Sequence, residues 1–145
     1  MPDAEDPPAS NPEPTYHVRD PTPLADEEYA TLAESLMEQI LTKVEEIQEE
    51  REDVDVEYSA GVLSITFPPA GTYVINKQPP NKQIWLSSPI SGPKRYDWAA
   101  LGEGMESKEG SGVGEWVYLR DGSRLSELLR KELGISVVPD QDQGT

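Results

Sequence analysis

The chain has no cysteine and a single histidine. The first absence rules out disulfides, thiolate zinc sites, cysteine-ligated iron–sulfur clusters and cysteine nucleophiles. The second rules out any site that needs two histidines, such as H-E-x-x-H. Basic residues are scarce as well. Lys and Arg number 12 against 28 Asp and Glu, a net charge of -16 over 145 residues. Binding to phosphate needs clustered cations, so this balance argues against nucleic acid and against an anionic membrane surface. No apolar run approaches the roughly 18–20 residues of a membrane-spanning helix. Apolar residues make up 35% of the chain, low for a globular domain yet above a fully disordered one. The length suits one compact domain with loose ends.

What is present is unevenly charged. Residues 24–57 carry 13 acids and 2 bases, a net charge of -11. Residues 58–98 carry 1 acid and 4 bases, a net charge of +3. A charge run is commonly a solvated face, and the sharp step between the two stretches raises a functional alternative.

Residues 1–21 are rich in proline and acids and lack a hydrophobic period, which reads as a disordered leader. It has the character neither of a secretory signal nor of a transit peptide. The first helix is expected from residue 24 to about 50, with Thr22 as N-cap and Pro23 at the first helical position. Its apolar residues Tyr29, Leu32, Ala33, Leu36, Ile40, Val44 and Ile47 recur at helical steps. Glu27, Glu34, Glu38, Glu45 and Glu49 fall in a stripe about 60° wide, roughly opposite the apolar one.

Short alternating runs follow: Val54–Tyr58, Val62–Phe67, Thr72–Asn76 and Lys82–Ser87, with two more near Arg95–Trp98 and Glu115–Leu119. Between the last two lies a polar, glycine-rich stretch, Ala99–Gly114, read as a linker loop. Its glycines match no nucleotide-binding fingerprint. A final helix is expected from Ser123, as N-cap, to about Leu133, stopped by Gly134 and burying Leu125, Leu128, Leu129 and Leu133. The tail from Pro139 is polar. The order implies an α+β fold: an antiparallel sheet of five to seven strands with the N- and C-terminal helices packed on one face, forming a single domain over residues 22–138.

Strand alternation then places Tyr73, Ile75, Ile84 and Leu86 in the core. It turns Thr72, Val74, Asn76, Gln83, Trp85 and Ser87 outward. An exposed Trp among amides, with Lys77, Lys82, Lys94 and Arg95 near in sequence, has the composition of a protein-binding surface. The competing reading has Trp85 covered by the loop from Ser88 to Pro93. No catalytic constellation emerges, since the one histidine, His17, lies in the leader. Carboxylates at helical spacing remain, and they suit weak, labile binding of hard cations.

The stretch "GTYVINKQPPNKQIWLSSPISGPKRYDW" (Gly71–Trp98) resembles the signature core of the frataxin family. The flanking "LADEEYATLAESLMEQI", "GVLSITF" and "EWVYLRDGSRLSELLRKEL" are similar to the family as well. The resemblance implies a mitochondrial matrix protein that binds iron weakly, as Fe(II) or Fe(III), with no organic cofactor. It implies partners in the cysteine desulfurase, its accessory subunits and the iron–sulfur scaffold protein, and a role in promoting sulfur transfer. It also implies a monomer alone with iron-driven oligomers, and, as an alternative function, ferroxidase and iron-storage activity. The implied metal residues are Asp26, Glu27, Glu28, Glu34, Glu38, Glu45, Glu46 and Glu49. The implied partner residues are Asn76, Gln78, Gln83, Trp85 and Arg95. Two departures stand out. Pro79 replaces the family's usual Thr, and the Ala99–Gly114 loop is longer than in most relatives.

Overall fold

The structure, a computed structural model, describes residues 21–101 and 113–139. All but the last residue of the expected leader, His17 included, lies outside them. So do the middle of the Ala99–Gly114 loop and all of the tail beyond Pro139.

The first helix, α1 (Asp26–Gln48), starts later than expected. Its N-cap is Ala25, and the Glu28 carboxylate accepts the Ala25 N–H at 2.9 Å. Thr22 has another use. Its N–H donates to the Trp98 carbonyl at 2.8 Å, and its hydroxyl accepts the Ala100 N–H at 2.8 Å. A Thr-Pro pair carries the same signature whether it caps a helix or satisfies a strand, and here the strand takes it. Three acids in the first turn oppose the positive end of the helix.

Seven strands follow: β1 (Asp55–Ser59), β2 (Val62–Phe67), β3 (Gly71–Gln78), β4 (Gln83–Ser88), β5 (Gly92–Leu101), β6 (Val113–Tyr118) and β7 (Ser123–Arg124). They form one antiparallel sheet in strict chain order, from β1 at one edge to β7 at the other. β5 and β6 extend into both ends of the stretch read as a loop. Gly114 is what allows this, because a Cβ there would overlap the Trp98 ring. A 3-10 turn, Pro79–Asn81, joins β3 to β4 and ends on Lys82 in the left-handed region, φ +53°.

The last helix, α2 (Leu125–Leu133), also starts later than expected. Ser123 enters β7 instead of capping, and its hydroxyl donates to Asp121 at 2.6 Å. The helix stops at Gly134, φ +74°, as the sequence indicated.

Both helices cover one face of the sheet. Tyr29, Ala33, Leu36, Met37, Ile40 and Val44 of α1 share a buried cluster with Leu125, Leu128, Leu129 and Leu133 of α2. The sheet contributes Leu63, Ile65, Tyr73, Ile75, Ile84, Leu86, Tyr96, Trp98 and Trp116 to the same cluster. These side chains fall on alternate positions of their strands, as a half-buried sheet requires. The chain beyond α2 returns along α1. Gln39 bonds both ways with the Val138 backbone, at 2.9 and 2.8 Å.

Candidate partner face and acidic ridge

The uncovered face of the sheet takes its residues from the register. Asn76 lies opposite Trp85, and Trp85 opposite Arg95; Gln78 lies opposite Gln83, and Gln83 opposite Asp97. A step of two along β3 puts Asn76 and Gln78 on one face. All five residues assigned to partner binding are therefore brought to one end of the open face. Asn76, Gln83, Trp85 and Arg95 line a shallow groove of about 890 Å³ with Val62, Val74 and Arg120.

Trp85 is half-buried, between the two arrangements its sequence position allowed. Its indole N–H donates to Gln83 Oε1 at 2.7 Å, and the Arg95 guanidinium stacks over its ring at 4.7 Å. The Ser88–Ser91 turn is drawn away from it. The Ser88 and Ser91 hydroxyls each donate to Glu132 of α2 at 2.7 Å, on the helix side of the sheet. The Tyr73 hydroxyl joins them at 3.0 Å. Its pKa is pushed up to about 12, first by burial and then by Glu132. This gathering of three hydroxyls on Glu132 had no signature in the sequence.

Of the basic residues near Trp85 in sequence, Lys77 and Lys82 turn to α1. Lys77 follows Ile75 and Tyr73 in parity and reaches α1, where it pairs with Glu34 at 2.8 Å. Lys82 pairs with Asp26 at 3.1 Å. The Lys94 ammonium lies over Tyr118 at 5.6 Å. Only Arg95 of the four sequence-adjacent bases is placed against Trp85.

The acids of α1 divide into two groups. Asp26, Glu28 and Glu34 are engaged within the fold. Glu34 accepts from Lys77 at 2.8 Å and from the Tyr58 hydroxyl at 2.9 Å, and these bonds, Lys77 first, hold its carboxyl below the usual range. Glu34 therefore borders β1 and β3, while the rest of the stripe faces away from the core. Long side chains from the sheet reach past the apolar face to meet Glu34. Glu27, Glu38, Glu45, Glu46 and Glu49 are exposed, and none pairs with a cation among the described residues. Among the described residues, no three acidic or histidine side chains converge on one point to form a ready-made metal cage. An ion met there would be held by few carboxylates, completed by water.

The family model described as Frataxin-like domain matches residues 22–138. The mitochondrial frataxin homologue of Saccharomyces cerevisiae is 42% identical over 117 residues, 79% of this chain and 60% of that protein. The mitochondrial frataxin of Caenorhabditis elegans is 44% identical over 109 residues, 72% of this chain and 71% of its own. Among solved structures, trimeric yeast frataxin complexed with ferrous superposes with a TM-score of 0.54 at 42% identity, over 71% of this chain and 82% of the other. Psychromonas ingrahamii frataxin superposes with a TM-score of 0.51 at 26% identity, over 80% and 98%. The chain thus spans 60% of the yeast relative and 71% of the nematode one.

Proposed function

The chain belongs to the frataxin family, and from that premise we propose that it is an iron-binding adaptor of iron–sulfur cluster assembly in the mitochondrial matrix. In this reading it docks on the cysteine desulfurase, the desulfurase's accessory subunits and the scaffold protein through Asn76, Gln78, Gln83, Trp85 and Arg95. It promotes sulfur transfer to the scaffold. It carries Fe(II) or Fe(III) weakly on the exposed α1 acids, as cargo, with no organic cofactor. It is a monomer alone and forms oligomers with iron.

The observation that carries the reading is the open groove. A half-buried Trp stacked with Arg and ringed by amides is the residue set in which binding energy concentrates. A mitochondrial location is supported by the names of the yeast and nematode relatives. Iron carriage is supported by the ferrous complex of yeast frataxin and by four exposed acids of α1 with its C-cap Glu49, none paired with a cation among the described residues. Ferroxidase chemistry has less support. Di-iron oxidation of the ferritin type uses carboxylates turned inward within a bundle, whereas these point to water.

The test is Trp85→Ala in a reconstituted desulfurase–scaffold assay. Affinity for the complex is expected to fall about thirtyfold, with loss of the stimulated sulfur transfer. Stability is expected to change by roughly 1 kcal/mol, since the ring is half-exposed, and Fe(II) affinity to stay as it was. Undiminished sulfur transfer by the variant would remove the groove from the function.

A further inference from the structure

Asp97 belongs to none of the residue sets considered so far. Its place in β5 puts it opposite Gln83 and two residues from Arg95, on the open face. Gln83 Nε2 lies 3.2 Å from Asp97 Oδ1 and 3.2 Å from Oδ2. The same Gln83 side chain accepts the Trp85 indole N–H through Oε1 at 2.7 Å. Asp97 therefore starts a short relay that ends on the ring presented at the centre of the groove.

The polarity of the relay is set at its acidic end. A side-chain amide has a donor end and an acceptor end. The carboxylate accepts only, so it draws the NH2 end of Gln83 and leaves the carbonyl facing the indole. A flipped amide would oppose carbonyl to carboxylate and NH2 to N–H, and both contacts would repel. One orientation survives. Hydrogen bonds to an ionised acceptor are also the stronger kind. Arg95 then holds the ring from its face at 4.7 Å.

Asp97 is half-buried, and burial pushes its carboxyl above the usual range while the Gln83 bond opposes the rise. It also lines a recess of about 240 Å³ with Pro21, Thr22, Pro23 and Lys82, where the N-terminal arm borders it.

We infer that Asp97 is a positioning residue of the partner face: through the Gln83 amide it fixes the Trp85 side chain in the arrangement a partner meets. The inference rests on the partner-face reading above and adds to it a residue that acts through another. It has a chemical corollary. The indole N–H is satisfied inside the protein, so a partner meets the ring and not a donor. A side chain ordered beforehand need not be ordered on contact, which strengthens binding without a new contact.

The test pairs two variants and two readouts. Asp97→Asn keeps the shape but can present either end of its own amide, so the relay loses its polarity. Asp97→Asn with Gln83→Glu rebuilds it in reverse: the amide now on β5 donates to the carboxylate now on β4, which accepts the indole N–H. The first readout is the ¹H–¹⁵N resonance of the Trp85 indole, with those of Trp98 and Trp116 reporting an intact fold. The second is the affinity of Asp97→Asn for the reconstituted desulfurase–scaffold complex. Asp97→Asn is expected to move or split the Trp85 resonance alone and to weaken the complex by about threefold to tenfold. The double variant is expected to restore a single resonance near the parent position. An Asp97→Asn protein with the parent indole resonance, or with parent affinity where Trp85→Ala has lost it, overturns the inference and leaves the partner face standing. Parent affinity in Trp85→Ala overturns both.

Discussion

Glu34 occupies the same helical stripe as Glu27, Glu38 and Glu45 and does different work. Lys77 and Tyr58 both donate to it, tying α1 to β3 and β1. Its side chain keeps 41% of its exposure, so water screens the pair and the gain is modest. Glu34→Gln is expected to cost about 0.5–1 kcal/mol at pH 7 in a urea melt. The pH dependence has a definite sign. The folded carboxyl titrates below its unfolded value of 4.5, so its stabilisation is present above pH 4.5 and is lost as pH falls through the folded value. The gap between parent and variant is therefore expected to close on acidification below pH 4.5; a gap that widens there would contradict the ion pair. Neutralising Glu27, Glu38, Glu45, Glu46 and Glu49 together, with Glu34 kept, is the cleaner probe of iron. Fe(II) affinity is expected to fall while the melting temperature holds or rises, because like charges on one helix repel. Parent-like iron binding in a titration of that variant would make the ridge a solvated face only.

At the level of elements, β6 depends on one position. Gly114 brings the β6 backbone against Trp98, and a Cβ there would overlap three ring atoms within 2.9 Å. The ring is 6% exposed and packed edge-on to Trp116 at 5.0 Å, so it has little room to yield. Gly114→Ala is expected to lose at least 2–3 kcal/mol in chemical denaturation, a core overpacking cost. A near-neutral result would mean that β6 starts after Gly114. Much of this architecture was legible because alternation is a local signal: Tyr73, Ile75, Ile84 and Leu86 are buried where a period of two puts them. The same parity already placed Lys77 on the helix side, and proximity in sequence to Trp85 obscured it. The starts of both helices were misread for one reason. Thr22 and Ser123 carry capping side chains, but strands β5 and β7 claimed them, a choice decided by tertiary structure. Of the site, the five residues that the family motif assigns to a partner are brought to one face by the strand register. Asp97 and Glu132 were not legible in the sequence, since each acts on residues 14 or more positions away. Neither pair lies within one strand or helix, so no local period relates its members.

Across the described residues, charge is unevenly placed. The acids concentrate on α1 and its exit into β1, whereas Arg95 and Arg120 border the groove. Association with a partner presenting cations to α1 is expected to be steered electrostatically and to slow as salt rises, with screening over a Debye length of about 8 Å at 0.15 M. An on-rate flat between low and high salt, read by stopped flow, would take α1 out of the encounter.

The strict chain order of the sheet sets how the protein is assembled in time. Each strand pairs with the one before it, so the meander can zip from the hairpins between β1 and β5, whose loops are short, while the β5–β6 pair closes the longer segment 102–112. Its two ends are another matter. Gln39 and Val138 are separated by 99 positions, and their paired bonds form only once both helices are docked. Such a clasp is absent from an early folding nucleus, so losing it shortens the life of the native state more than it delays its arrival. Gln39→Ala is expected to quicken unfolding by several-fold in a chevron experiment and to leave the refolding limb almost in place. The clasp then acts as a latch on the time the chain stays folded.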